Sequence, residues 1–240
     1  MVDNDAVGNT VAIRLVGAAG AAIAASVLLA GCVSDVKGTA VRSHGAGPLN
    51  VPPLDEAKLD EILLTVGELN EILGSTQMTV VSELDEMTDH SADVSDPDCL
   101  GAVYGAEEPV YDGTDWTAMR DQVVREPDDD NDHWVEQAAV LYPSAQNAGD
   151  FFERSTATWQ DCGNNAIAVG EGDYLWELDE VRVGDTLITQ VTTQEGADGW
   201  ACQHALSLVS NVTVEAWACG YDITAEAAEI ADAMVANAAR

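Results

Sequence analysis

Lysine is nearly missing from this chain: Lys37 and Lys58 are its only two. Nine Lys and Arg in all stand against 43 Asp and Glu, a formal net charge of −34. Phosphate backbones and anionic headgroups are held by clustered cations, so nucleic acid and an electrostatically bound lipid surface are excluded as partners. No Cys-x-x-Cys occurs, and no Cys/His spacing resembles a zinc site. Gly-x-Ser-x-Gly, His-Glu-x-x-His, Walker A and Gly-x-Gly-x-x-Gly are missing too, so neither a catalytic residue nor a cofactor or metal is expected. Core-forming material is plentiful. Hydrophobic residues make up 47% and mean hydropathy is −0.03, which excludes wholesale disorder and suits one acidic, globular domain with a tail.

One long uncharged run exists, from Leu15 to Gly31, between Arg14 and Cys32. It is short and rich in Ala and Gly for a bilayer span, and reads better as a signal h-region. Its end, Leu29-Ala30-Gly31-Cys32, resembles the lipobox of bacterial lipoproteins, with Cys32 as the lipidated residue. Asp3 and Asp5 stand where a signal carries cations, which is accommodated if initiation lies nearer Arg14. The alternative is an uncleaved anchor with Cys32 as a bystander. The expected organisation is a lipoprotein signal peptide over 1–31, a Gly/Pro/Ser tether over 32–53 and a folded domain over 54–240, exported and held by lipid on the outer face of the cytoplasmic membrane.

Within the domain, Leu54 to Gly74 carries Leu59, Ile62, Leu63, Val66, Leu69 and Ile72 at helical spacing, with Gly74 as its stop. Trp116–Arg125 and His133–Tyr142 read as strands around an acidic loop. A helix follows from Ser144 to Trp159, with Ser144 as its cap. Tyr174–Leu178, Asp185–Gln194, Trp200–Val209 and Val212–Cys219 read as further strands, and Thr224–Ala239 as a closing helix. Without βαβ alternation the expected class is α+β, a single domain with a mainly antiparallel sheet packed by helices.

Removing Cys32 leaves Cys99, Cys162, Cys202 and Cys219, an even set that an exported protein is expected to pair in one of three ways. Cys202 and Cys219 would sit at the open ends of one hairpin, close enough to cross-link. Cys99 then pairs with Cys162.

Ser95-Asp96-Pro97-Asp98-Cys99, Ala139-Val140-Leu141-Tyr142-Pro143-Ser144-Ala145 and Phe151-Phe152 with Trp159 and Cys162 form one set of matches. Gly199-Trp200-Ala201-Cys202, Asn211-Val212 and Ala218-Cys219-Gly220-Tyr221 form another. Together they resemble the PknH-like extracellular sensor domain family of actinobacteria. The resemblance covers about Leu63 to the C-terminus. It implies an α+β domain with two disulfides and a ligand cleft, without enzymatic activity. With no kinase domain in these residues, it implies the free-standing lipoprotein form rather than the outer part of a kinase. Position 204 is His where many members carry Arg.

Asp128, Asp130 and Asp132 have the first three spacings of a calcium loop, but His133 and Ala139 stand where Gly and a bidentate Glu belong, so an ordinary solvated acidic loop is expected. Neither His133 nor His204 has another His at metal-ligand spacing. Of the six tryptophans, Trp159 and Trp200 beside half-cystines are expected in the core. Trp217 shares a strand face with Thr213 and Glu215, opposite Val212, Val214, Ala216 and Ala218. Such a polar face is either a ligand platform or a helix-covered surface. As a platform, its ligand-binding residues would be Gln190, Thr192, Asn211, Thr213 and Trp217, although Asn211 equally suits a turn. The expected function is an extracytoplasmic sensor domain binding an unknown small ligand or envelope component. The alternatives are a lipoprotein docking a protein partner in the envelope, such as a membrane kinase or wall complex, and a cell-wall hydrolase. An exposed apolar patch would favour docking. Two convergent carboxylates in a cleft, one with a raised pKa, would favour the hydrolase.

Overall fold

The computed structural model describes residues 51–127, 132–170 and 174–240. The expected signal peptide, Cys32, the tether to residue 50, and Asp128 and Asp130 lie outside the described residues. Among the described residues nine strands form one sheet: β1 (Thr79–Leu84), β2 (Ala118–Arg125), β3 (His133–Leu141), β4 (Ala166–Val169), β5 (Tyr174–Leu178), β6 (Arg182–Val183), β7 (Leu187–Gln194), β8 (Trp200–Val209) and β9 (Val212–Tyr221). Their order is β1-β2-β3-β9-β8-β7-β5-β4, with β6 beside β7, and every ladder is antiparallel. Among the described residues six α-helices accompany them: α1 (Leu59–Ile62), α2 (Val66–Leu73), α3 (Leu100–Val103), α4 (Glu108–Tyr111), α5 (Ala145–Cys162) and α6 (Glu226–Ala238). This is the expected α+β class.

Period-2 alternation gives the central strands two different faces. Val212, Val214, Ala216 and Ala218 of β9 join Ala227, Ile230, Ala231 and Met234 of α6 in one core, completed by Leu59, Ile62 and Leu69 of α1 and α2. On the opposite face, Ala148, Phe151, Phe152 and Trp159 of α5 pack on Met119, Val140, Ile188 and Leu206. Ser144 caps α5 by accepting from the Asn147 N–H. Both expected disulfides are formed. Cys99–Cys162 ties the approach to α3 to the end of α5, and Cys202–Cys219 joins opposed residues of β8 and β9.

The N-terminal segment departs from the single helix its spacing predicts. It breaks at Leu63 (ψ 144°), and α2 restarts behind Thr65, whose side chain accepts from the Glu68 N–H while Glu68 accepts from the Thr65 N–H. Buried amides hold the break open. Gln137 binds both the N–H (2.8 Å) and the C=O (2.9 Å) of Leu64, and Asn237 donates to the Ile62 carbonyl. Asn211 grips the same segment further up, accepting from the Leu54 N–H at 2.7 Å and donating to the Leu54 and Tyr142 carbonyls. In the β8–β9 turn the left-handed residue is Ser210 (φ 53°), so Asn211 stands there for its side chain and not for its backbone. Gly74 ends α2 in the expected left-handed conformation (φ 70°).

Candidate functional site

Helix α5 covers only part of its face of the sheet. Beyond it, strand registers place side chains in transverse rows. One row runs Val123–Glu136–Trp217–His204–Gln190 across β2, β3, β9, β8 and β7, and the next runs Arg125–Trp134–Cys219–Cys202–Thr192. Val123, Glu136 and Trp217 of the first row and all of the second floor a cleft of about 540 Å³. Trp134, Trp176 and Trp200 are half-buried around Cys202–Cys219, and Trp217 is buried against the same bridge. The opposite wall comes from Thr88, His90 and the Val103–Glu107 segment.

Charge in this cleft is mostly negative. Glu107 is 1% exposed and fully engaged: it accepts from the His90 N–H (2.6 Å), contacts His90 Nδ1 (2.6 Å) and accepts from Thr88 Oγ1 (2.9 Å). His90 in turn stacks on Tyr104. Asp121 and Glu136 have no such satisfaction. Their carboxyls hydrogen-bond each other, which requires a shared proton. Burial, with the Glu215 charge adding to it, pushes Asp121 up to about 6, although its bond to Glu136 pulls the other way. Burial and then the Asp121 charge hold Glu136 well above the usual carboxylate range. Gly105 is what lets the wall approach them: a Cβ there would lie 2.8 Å from Glu136 Oε1.

Beneath the cleft lies a buried polar cluster. His204 is sandwiched between Trp159 and Trp217, each ring centroid 3.9 Å away. Its Nε2 meets Glu215 Oε1 at 2.7 Å, while Glu215 Oε2 accepts from the Ala106 N–H and the Tyr111 hydroxyl. Burial lowers the His204 pKa, opposed by Glu215 and the Ala102 backbone. A neutral ring donating Nε2–H to Glu215 satisfies the carboxylate and leaves Nδ1 buried without a hydrogen-bond partner. His204 is therefore an internal brace, and His133 pairs with Glu126 (2.8 Å).

Thr192 and Trp217 line the cleft together. The structure separates the other three expected ligand residues from it. Gln190 donates to the Asp179 carbonyl, Thr213 lies under α5 within reach of the Tyr142 hydroxyl, and Asn211 holds Leu54. Trp200, expected in the core, is half-buried on the cleft wall. Glu136, Asp121, Trp134 and Trp176 were not singled out by sequence. A signal existed in the Trp134-x-Glu136 alternation on a strand, which puts both on one face, but pairing with Trp217 needs the register. Asp121 is hidden among 43 acids.

The model of the PknH-like extracellular domain matches residues 54–237. The chain belongs to that family. It is 39% identical over 191 residues to the serine/threonine-protein kinase PknH of Mycobacterium bovis and 37% identical over 219 residues to that of Mycobacterium tuberculosis, covering 78% and 90% of this chain. It spans about a third of each of those kinases, 32% and 34%. The crystal structure of the extracellular domain of PknH from Mycobacterium tuberculosis superposes with a TM-score of 0.75 at 38% identity, covering 78% of this chain and 97% of that one. Membership makes this an exported domain with the fold of the PknH extracellular region. Among the described residues no helix is long and apolar enough to cross a membrane.

Proposed function

We propose that this domain is a non-catalytic sensor module of the cell envelope that holds a small ligand in the tryptophan-walled cleft, anchored by lipid on Cys32. The observation that carries the reading is the cleft itself: about 540 Å³, apolar walls and a few convergent polar groups, on a floor cross-linked by a disulfide. A rigid floor keeps ligand affinity from being spent on ordering the site. Native mass spectrometry of the protein with an extract of the source envelope tests it. The expected result is a discrete adduct of a few hundred daltons, on the order of what such a cleft encloses, lost when Trp217 is replaced by Ala. No adduct, with both disulfides intact, overturns it. Loss of membrane retention in Cys32→Ala tests the anchor.

A hydrolase is the second reading, favoured by the Asp121–Glu136 pair. Glycosidases separate their carboxyls by about 5–5.5 Å or 6.5–9.5 Å, whereas these two are in hydrogen-bond contact. Released fragments in place of an adduct would support hydrolysis. Docking of an envelope protein is favoured by β1, an edge strand whose Val80 and Val81 are 39% and 49% exposed. A protein captured only while that edge is intact, with no small adduct, would support it.

A further inference from the structure

The chemistry of the cleft narrows what it takes, granted the ligand-binding reading. We infer that its ligand is an organic cation, with an ammonium group seated over indole faces and against the Asp121–Glu136 pair.

Three observations converge. Glu136 is directly opposite Trp217 on β9 and two residues from Trp134 on its own strand, so its carboxyl is flanked by two indoles. Indole faces attract cations, most strongly where water is excluded. The acids behind them are not neutralised by the protein. Glu107 is saturated by His90 and Thr88, and Glu215 by His204, Tyr111 and the Ala106 N–H. Arg125 is on the cleft, diagonal to Glu136 across the β2–β3 ladder and four residues from Asp121 along β2, but among the described residues it forms no ion pair with either carboxyl. Asp121 and Glu136 are left facing each other with only a proton between them. The third observation is Trp217 Nε1, a donor with no hydrogen-bond partner although the residue is only 5% exposed and lines the cleft; it calls for an acceptor elsewhere on the ligand, beside the ammonium seated on the ring faces. Native interiors seldom leave such a donor unmatched.

A buried acid pair with no counter-ion is costly, and a desolvated ammonium is the complement that relieves it. The exchange balances. The ammonium enters with one positive charge, the shared proton leaves to the buffer, and the site's net charge is unchanged. The groups facing the pair are Glu215 and His204 from the central strands, Glu107 and His90 from the opposite wall, and Arg125 at the end of β2.

The test is titration of the full chain with 4-phenylbutylammonium and, separately, with 4-phenylbutan-1-ol and chitotriose, followed by tryptophan fluorescence and calorimetry. The ammonium is expected to bind at least about tenfold more tightly than the alcohol at pH 7.5. Its heat should change with the ionisation enthalpy of the buffer, reporting proton release from the unmodified protein. Glu136→Gln and Asp121→Asn should each weaken the ammonium about tenfold and leave the alcohol unchanged. Equal binding of ammonium and alcohol, or tighter binding of chitotriose, overturns the cation while leaving a ligand-binding cleft in place. A response to none of the three overturns the cation, and absence of an adduct from the envelope extract as well takes the ligand-binding reading with it.

Discussion

Toward α6, strand β9 presents Val212, Val214, Ala216 and Ala218; toward α5 and the cleft it presents Thr213, Glu215, Trp217 and Cys219. The first face is closed by small apolar residues, and its buried amides Gln137 and Gln203 bind backbone atoms of the neighbouring segments, Gln137 also donating to the Gln122 side chain. The second face is closed at one end by α5 and left open at the other, where Asp121 and Glu136 crowd together with no ion pair to a cation among the described residues. One face is built for stability alone. The other accepts a cost at the spot where a ligand would remove it, the kind of local inconsistency that marks functional sites.

The largest effect expected from breaking this division is loss of Cys99–Cys162, which closes a chain separation of 63 residues against 17 for Cys202–Cys219. On chain-entropy grounds, replacing Cys99 and Cys162 by Ser should cost about 4 kcal/mol, against about 3 kcal/mol for the shorter loop. Chemical denaturation of the two double variants gives both numbers, and the reverse ranking would mean that native packing rather than loop length sets the bridge's worth. On the other face, Met234→Ala in α6 should cost about 3 kcal/mol, because Met234 is wholly buried and its loss opens a cavity. Ligand affinity should be unchanged in that variant, which is what separates the two faces functionally.

A smaller effect of opposite sign comes from the acid pair. Both carboxyls hold their protons more firmly in the native state than in the unfolded chain, so the native state binds more protons and loses stability as pH rises from about 4 through about 6 and beyond. Glu136→Gln removes that loss. The variant should therefore be more stable than the parent by about 1–2 kcal/mol at pH 7.5, with the gap closing toward pH 4. The charged and polar groups around the pair, His204, Glu215, Glu107, His90 and Arg125, are common to both proteins. Thermal melts at four or five pH values suffice. A gap that widens on acidification would show that the pair is ionised and stabilising.

The α+β class, the long strands β2, β3 and β7–β9, helices α5 and α6, and both disulfides were legible because each rests on local periodicity or hairpin geometry. Strands β1 and β4 were not. Thr79–Leu84 is exposed along its outer residues, and Ala166–Val169 is too short to show a period. At the site, the family resemblance implied a cleft, and that Thr192 and Trp217 line one was legible because each alternates onto the right face of a single strand. Glu136 and Asp121 escaped because their meaning lies in pairing across β2, β3 and β9. Asn211 and Thr213 share the right strand alternation, but they fall at the end of the face that α5 and the N-terminal segment cover.

The N-terminal segment offers the smallest effect and the sharpest sign. Periodicity alone makes Leu54–Gly74 one helix, and in one helix Thr65→Ala would replace a β-branched interior residue by the best helix former and stabilise the protein by a few tenths of a kcal/mol. In the structure Thr65 is the N-cap of α2 and half of a capping box, so the same change removes the acceptor for the Glu68 N–H. It also frees the Glu68 carboxylate, whose pKa is lowered chiefly by its bonds to the Thr65 side chain and N–H. The expected outcome is a loss of about 1 kcal/mol, with the Glu68 pKa returning toward its ordinary value. Equilibrium denaturation together with a carboxylate titration reads both. A stabilised variant would mean that the break at Leu63 gives way to a continuous helix despite Gln137 and Asn237, and that the amide ties on the α6 face are weaker than the periodicity they override.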